Sequence, residues 1–355
     1  MIPDLFSIDC GDYYTNLERI KFKSKDEKSF FLGSAFRKNS LVYSIGDEQL
    51  NNTDNDILHG ICEAVTQVCS QILHDKNAYK PDNITFFINK SPLSNASANI
   101  YCNNNYYICL NVGLLHYIYK SIAGTFHYSS FMKNIGKSDA DIFIYELNEC
   151  MAYIKHPKCQ ERLKFVGDLT ILSSLLIFYH ELAHVLRKHL SYLRDTNNLS
   201  IINDGESNNL KSLISKAIES DADFYAGIFI GHTYKKEQKL FKDVFNTQND
   251  QDFFKICTLA AKFTFHIFES KLKFDKYHLP KTRLEILLEG LNSSLLLGED
   301  ALSIAIGVVL GVERAFTKFG IDIGHTDEEV EYDGKAYYET TVPMLNQLID
   351  KIHQS

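Results

Sequence analysis

The sequence predicts an α+β fold that is mostly helical, with a small sheet set among the helices. Apolar residues recur at helical spacing through most of the chain, which indicates amphipathic helices. One region instead carries β-branched and aromatic runs around an Asn-rich turn, which indicates strands. The 45% hydrophobic content of the 355 residues is ample for one large domain or two modest ones.

The charge pattern and the start of the chain exclude some classes of function. The net charge of -8 is scattered and forms no basic stripe, so we expect no nucleic-acid partner. The first residues, MIPDLFSIDCGDYY, lack the basic and then apolar pattern of a signal peptide, so a cytoplasmic protein is expected. Two apolar stretches, 169–178 and 301–312, are shorter than the roughly 20 residues of a membrane span and are expected to be buried helices.

The eight cysteines form no CxxC pair and no cluster. In a chain without an export signal, this pattern indicates reduced core thiols rather than a disulfide framework. Cys62 and Cys69 share a face of a predicted helix and are expected to pack rather than to bind metal.

The elements of the first half follow in order. Residues 1–54 are a mixed N-terminal segment with two short strand-like runs, SFFLGSAF and LVYSI. Apolar spacing then predicts a helix from Asn55 to about His74. ITFFIN (84–89) is a predicted strand, and NIYCNNNYYICLNV (99–112) a predicted hairpin, followed by a helix that ends near Gly124.

In the second half, residues 125–166 are expected to form a polar insertion with one further helix. Asp168 is the predicted N-cap of a helix that runs to about Arg194, before a polar loop. The remaining helices are predicted at 210–230, 250–272, 281–294, 299–318 and 343–353. These elements divide into a core at 55–295 and a C-terminal helical region at 296–355.

The segment FYHELAHVLRKH (178–189) has the spacing of a metal site. His180 and His184 are four residues apart, so on a helix their rings project from one face and can bind one ion together. Glu181 lies on an adjacent flank, where it can hydrogen-bond a water on the metal and take its proton. The spacing favours a hydrolytic metal centre over a helix that carries histidines by coincidence.

A hydrolytic zinc site needs three protein ligands and an open position. In AIESDADFYAG, Glu219 and Asp223 are also four apart and share a face of the next predicted helix. Glu219 can complete a set of two histidines and one glutamate for a single Zn²⁺ ion. Asp223 can accept the free ring N–H of a ligand histidine and fix its tautomer.

Other polar residues are expected to have ordinary roles. His189 lies five residues after His184 and would be rotated round a continuous helix, so it is predicted to be a surface or packing residue. Asp221 points away from the face of Glu219 and Asp223 and is predicted to be solvated. His116, His232 and His266 lie in apolar patterns and are predicted to be core or surface histidines.

The pair HELAH and ESDAD resembles the gluzincin metallopeptidases, in which the helix motif is followed by a glutamate ligand in E-x-x-x-D. The forms HELAHVLRKH and ESDADFYA are most similar to the HtpX and prenyl-protein peptidase branch. SNASANIYCNNNYYICLNVGLL and HLPKTRLEIL resemble two further segments of that branch. The similarity covers about 55–115, 168–230 and 275–290.

This resemblance implies a zincin-like fold with the small sheet packed on the active-site helix. It implies zinc on His180, His184 and Glu219, Glu181 as general base, and Asp223 beside a ligand histidine. It also implies that Arg283 reaches Asp223 or the site and that His278 helps to bind the oxyanion. The strand from Tyr106 to Val112 would be the sheet edge on which an extended substrate pairs.

The expected function is therefore that of a soluble zinc endopeptidase acting on a protein or peptide. The protein differs from the membrane-embedded members of that branch because no membrane span is expected. In this respect it is more similar to the Lit-like phage-exclusion peptidases. The alternatives are a non-catalytic protein-binding module on the same scaffold and a peptidase that cuts a transcriptional repressor. The substrate, its cleavage site and the oligomeric state are left open by the sequence.

Overall fold

A computed structural model describes eleven ranges of the chain. They are 53–74, 84–89, 94–101, 105–128, 131–136, 140–147, 150–157, 159–197, 207–269, 277–319 and 327–354. The N-terminal segment 1–52 with its two strand-like runs, the Asn-rich turn at 102–104 and the middle of the polar loop at 198–206 lie outside these residues. Within them the fold is α+β and mostly helical, as predicted.

The chain forms two units, Met1–Phe178 and Tyr179–Ser355, and the division falls inside one long helix. It also falls within the segment 55–295 that the sequence groups as one core. In the first unit the described elements are α1 (Thr53–His74), β1 (Ile84–Asn89), β2 (Ala96–Tyr101), β3 (Asn105–Asn111), α2 (Val112–Phe126), β4 (Ala140–Leu147), β5 (Cys150–Pro157) and most of α3 (Gln160–Leu186).

The three-stranded sheet has the order β1-β3-β2. β2 and β3 pair antiparallel, with Ala98 opposite Ile108, so the predicted hairpin is confirmed. β1 pairs with β3 in parallel, with Phe86 opposite Ile108. Because β3 is bonded on both sides, the expectation that Tyr106 to Val112 form a sheet edge is wrong. The sequence could not reveal this, because pairing of β1 with β3 joins segments that are not adjacent in the chain.

In the described residues of the first unit, an aromatic contact joins the sheet to α3, and a buried arginine joins α3 to the end of α2 and the chain after it. Phe86 of the sheet meets Phe178 of α3 edge to face, with ring centroids 5.4 Å apart. Arg162, which is fully buried, donates hydrogen bonds to five backbone carbonyls at the end of α2 and after it, those of Phe126, Tyr128, Phe131, Met132 and Ile135. These bonds satisfy the guanidinium and close the loop against α3, because buried donors need partners.

Residues 125–166 differ from the prediction of a further helix. They contain the antiparallel pair β4 and β5, with Ile144 opposite Tyr153. The following helix, α3, begins at Gln160, so Asp168 is not its N-cap but lies inside it and is buried. Apolar spacing over the start of α3 is weak because charged residues such as Glu161 and Lys164 alternate with apolar ones there.

The length of α3 affects the expectation that the chain has no membrane span. With 27 residues, α3 is long and apolar enough by length and composition to cross a membrane, and 83% of its most apolar window is buried inside the protein. The core helix of a soluble protein has the same properties, so the helix agrees with the expected burial of 169–178 and decides nothing about a membrane.

The regular elements in the described residues of the second unit are all helices. This unit contains the end of α3, α4 (His189–Asn197), α5 (Ser207–Lys236), α6 (Gln238–Phe245), α7 (Asp250–Glu269), α8 (Pro280–Leu295), α9 (Asp300–Phe319), α10 (Asp327–Ala336), a π-helical turn (Tyr337–Thr341) and α11 (Val342–Gln354). The helices predicted from apolar spacing are present, whereas α6 and α10 were not predicted. The expected burial of 301–312 is wrong, because α9 exposes Leu302, Ile306 and Leu310.

Helices α5 and α8 approach closely because glycines line their contact. A methyl group on Gly227 of α5 would overlap the carbonyl oxygen of Leu287, and one on Gly290 of α8 would overlap that of Phe224. The backbones therefore touch where only glycine fits. This close packing fixes the position of the first turns of α8 relative to Asp223 on α5.

Candidate metal centre

Two histidines of the HELAH motif point to one place near the end of α3. His180 and His184 are one turn apart, and their Nε2 atoms are 3.2 Å apart. The neighbouring Tyr179, Leu182 and Ala183 are fully buried, so the opposite side of the helix is anchored in the core. The helical spacing thus presents both rings on one face, as predicted.

Glu219 of α5 meets both histidines. Its Oε2 lies 3.2 Å from Nε2 of His180, and its Oε1 lies 3.7 Å from Nε2 of His184. Asp223, one turn further along α5, contacts His180. The partners thus run in opposite order along the two helices, as expected for antiparallel neighbours.

These three residues fit a tetrahedral zinc ion. Their donor atoms all lie within 4.8 Å of one another. Zinc bonds of about 2.0–2.1 Å in tetrahedral geometry place neighbouring ligand atoms about 3.3 Å apart, close to the separations found here. Two imidazoles and one carboxylate are also the donor set of hydrolytic zinc sites. The three side chains are between 10% and 21% exposed, so solvent can reach the ligand face.

A carboxylate and a guanidinium set the orientation of His180. Its Nδ1–H donates to Oδ1 of Asp223 at 2.8 Å, and because a carboxylate only accepts, the lone pair of the neutral ring lies on Nε2, which faces the site. Arg283 of α8 in turn donates to both oxygens of Asp223, at 2.7 and 2.9 Å. The expected contact between Arg283 and Asp223 is therefore present.

The electrostatics of the centre favour a positive charge on its ligand face. Burial lowers the pKa of His180, but Asp223 and Glu219 outweigh it and raise that pKa to about 10. Burial raises the pKa of Glu219, but His184 and His180 outweigh it and hold that pKa well below its usual range. The carboxylates thus balance either a proton on the imidazoles or a bound cation.

Glu181, the predicted general base, is buried and adjoins the first histidine on the same helix. Its negative charge reaches Tyr277, a residue that the sequence did not single out. The charge of Glu219, followed by burial, raises the pKa of Tyr277 to about 12, with a smaller contribution from Glu181. The guanidinium of Arg283 also lies 5.1 Å from the Tyr277 ring. Tyr277 is therefore a protonated phenol in the electric field of the centre.

His278 has partners away from the three ligands. Its Nδ1–H donates to Asp333 of α10 at 2.9 Å, and its Nε2 is 2.9 Å from the hydroxyl of Thr341. Asp333 also accepts the backbone N–H of Leu279 at 2.7 Å. In this arrangement both ring nitrogens are engaged within the buried C-terminal helices, so His278 offers no N–H to an oxyanion. His278 instead joins the start of α8 to α10 through Asp333.

His189 and Asp221 differ most from expectation. Helix α3 ends at Leu186, and Lys188 has a left-handed φ of 60°, so His189 begins a new helix and turns back toward the centre. His189 is buried, with Nδ1 3.1 Å from Nδ1 of His184 and Nε2 3.0 Å from Oδ2 of Asp221. Asp221 is buried rather than solvated, and it also accepts a hydrogen bond from Nε of Arg187 at 2.9 Å.

Burial also affects the charge states of His189 and Asp221. It lowers the pKa of His189 to about 4 in spite of the bond to Asp221, so the imidazole is neutral near pH 7. Burial raises the pKa of Asp221, but His189 and Arg187 outweigh it and hold that pKa below its usual range. Asp221 is therefore ionised beside a neutral imidazole.

The other singled-out residues lie where the sequence placed them. His116 is buried in the first unit, His232 is exposed on α5, and His266 is half-buried with its ring 4.5 Å from that of Phe316. Cys62 and Cys69 are both buried, and burial raises the pKa of each thiol. They are core thiols, as predicted.

Comparisons with protein-family models, with curated proteins and with solved structures find no match to this chain.

Proposed function

We propose that this protein is a zinc-dependent endopeptidase of the gluzincin type, with a zincin-like fold. The observation that carries the proposal is the convergence of His180, His184 and Glu219 on one point, with Glu181 directly after the first of them. A third donor that comes from another helix, at separations close to those between tetrahedral ligands, favours a metal site over helical coincidence. The donor set lacks thiolates, which favours a hydrolytic over a structural zinc site.

The proposed division of labour follows from the contacts. His180, His184 and Glu219 hold the ion, which supplies Lewis-acid polarisation of the scissile carbonyl and acidifies water when it is bound. Glu181 accepts a proton from the attacking water and returns it to the departing amine. Asp223, fixed by Arg283, keeps His180 in the tautomer that directs its Nε2 lone pair at the ligand face.

The charges around Arg283 also support a role in holding the ligand residues. Its Nη2 is 3.9 Å from Oε2 of Glu219, and it is buried. A permanent cation at this distance stabilises the ionised forms of Asp223 and Glu219, the forms that a metal site requires. Arg283 therefore serves the ligands and does not need to touch the substrate.

A cleavage screen with a matched inactive control tests this proposal. The wild-type protein and Glu181→Gln, each loaded with one equivalent of zinc, are incubated with a cell extract, and new protein N-termini are sequenced. The proposal predicts discrete new termini with the wild type and none with Glu181→Gln, although both retain zinc. Equal cleavage by both proteins would contradict the role of Glu181. Binding of a partner by both, with cleavage by neither, would identify the protein as a non-catalytic binding module.

A further inference from the structure

The turn between α3 and α4 carries a strained residue beside the candidate centre. Lys188 adopts φ of 60°, a left-handed conformation that costs a non-glycine residue about 1 kcal/mol or more. The turn is closed by hydrogen bonds from the N–H groups of Arg187 and Lys188 to the carbonyls of Ala183 and Val185. The consequence of the turn is that His189 lies against His184, which a continuous helix would prevent.

The hydrogen bonds that the two ring nitrogens of His189 make determine its tautomer. Asp221 is held by Arg187, and a carboxylate only accepts, so Nε2 of His189 carries the hydrogen that Asp221 receives at 3.0 Å. Nδ1 of His189 faces Nδ1 of His184 at 3.1 Å, so these two nitrogens share one hydrogen. For His184 to bind a metal through Nε2, the nitrogen nearest Glu219, that nitrogen needs a free lone pair, so the shared hydrogen lies on Nδ1 of His184 and His189 accepts it.

We propose that His189 and Asp221 are positioning residues that fix His184 in the tautomer with a bare Nε2 directed at the metal. This inference rests on the proposed metal centre. Under this inference, each ligand histidine is oriented by a carboxylate that an arginine holds. Arg283 and Asp223 orient His180 directly, and Arg187 and Asp221 orient His184 through the ring of His189.

The burial of the cluster supports this role. His189 is 1% exposed and Asp221 is 4% exposed, so water does not compete for their hydrogen bonds. The rival explanation is that Asp221 binds His189 and Arg187 only to hold α4 against α5. The two explanations differ in which nitrogen of His189 matters. Positioning depends on Nδ1, which faces His184, whereas a purely structural tie depends on Nε2, which faces Asp221.

Three substitutions at His189 separate these explanations. The amide oxygen of Asn is as many bonds from Cβ as Nδ1 of histidine, so His189→Asn keeps an acceptor for His184. The amide nitrogen of Gln corresponds in the same way to Nε2, so His189→Gln keeps the donor to Asp221. His189→Leu removes both while retaining apolar volume. Asp221→Asn tests the residue that accepts the hydrogen bond from Nε2 of His189.

The experiment measures the zinc dissociation constant of the full-length protein and each variant by competition with a chelator, together with the free energy of unfolding. In the zinc-loaded proteins, ¹⁵N shifts of the histidine rings report whether Nδ1 of His184 carries the hydrogen. We expect His189→Leu to weaken zinc binding about 10–100-fold, the range for partners of ligand histidines. We expect His189→Asn to recover most of this loss and His189→Gln little of it.

Each outcome decides between the ideas. Absence of zinc binding by the wild type would overturn the proposed function, and this inference with it. Zinc binding by the wild type that is unchanged in His189→Leu would overturn the inference and leave the proposed function standing. Recovery by His189→Gln but not by His189→Asn would show a structural tie and overturn the positioning role. The comparison of Asn with Gln remains decisive if His189→Leu does not fold.

Discussion

Arg283 holds Asp223 by two hydrogen bonds, from Nε to Oδ2 at 2.7 Å and from Nη2 to Oδ1 at 2.9 Å. Both residues are buried, and they come from helices that touch at glycines. Burial raises the pKa of Asp223, but Arg283 and His180 outweigh it and hold that pKa below its usual range. A fixed carboxylate thus stands behind the first histidine of the candidate centre.

Replacing this carboxylate should weaken the metal site. Asp223→Asn offers only one acceptor oxygen, so it cannot serve Arg283 twice and also receive Nδ1–H of His180. We expect the zinc dissociation constant to rise about 10–100-fold, as for other partners of ligand histidines. Chelator competition measures this change. Asp243→Asn, at an exposed position of α6, is the matched control and should bind zinc like the wild type.

The contact between α5 and α8 should be intolerant of a single methyl group. Gly290→Ala would force apart two backbones that touch at Phe224, so we expect the free energy of unfolding to fall by about 1–3 kcal/mol. Denaturant unfolding measures it. Gly307→Ala on α9 meets nothing within 4 Å and should stabilise the helix by about 0.5–1 kcal/mol. Equal effects of the two substitutions would contradict the packing explanation.

His278 should affect stability rather than metal binding. His278→Ala leaves the buried Asp333 without one of its hydrogen-bond donors, so the free energy of unfolding should fall by about 1–3 kcal/mol. The zinc affinity of the folded protein should not change. His232→Ala, on the exposed face of α5, serves as the control. If the variant kept wild-type stability but lost cleavage, His278 would have the oxyanion role that the resemblance implies.

Asp168 should destabilise the first unit at neutral pH. Burial raises its pKa from 3.8 to about 6, although the half-exposed Lys164 partly opposes this. Because the folded pKa lies above the unfolded one, the penalty is absent below pH 3.8, grows up to about 6 and is complete above it. We expect Asp168→Asn to raise the free energy of unfolding by up to about 3 kcal/mol at pH 7.5. The gain should disappear near pH 4, and a gain independent of pH would exclude this cause.

Local patterns predicted most of the fold. The helix and hairpin from Thr53 to Asn111 follow from apolar spacing and a turn, and both depend on residues close together in the chain. The place of β3 in the middle of the sheet depends on pairing with β1, which no local pattern encodes. The hairpin of β4 and β5 was missed, although the β-branched and aromatic run IFIY (142–145) is typical of a strand.

The candidate centre was predictable where its geometry is helical. Spacing of four residues brought His180 and His184 together, and the same spacing selected Glu219 and Asp223 on the next helix. His189 was misjudged because its position depends on the end of α3 at Leu186 and a left-handed residue that is a lysine, not a glycine. Without glycine or proline there, the sequence carried no signal for the turn.

X-ray absorption at the zinc edge of the purified, zinc-loaded protein tests the central claim most directly. We expect one zinc per chain, with nitrogen and oxygen scatterers at about 2.0–2.2 Å that include two imidazoles, and loss of that signal in His180→Ala. A protein that retains no stoichiometric zinc, or a spectrum with sulfur at about 2.3 Å, would contradict a centre built from His180, His184 and Glu219.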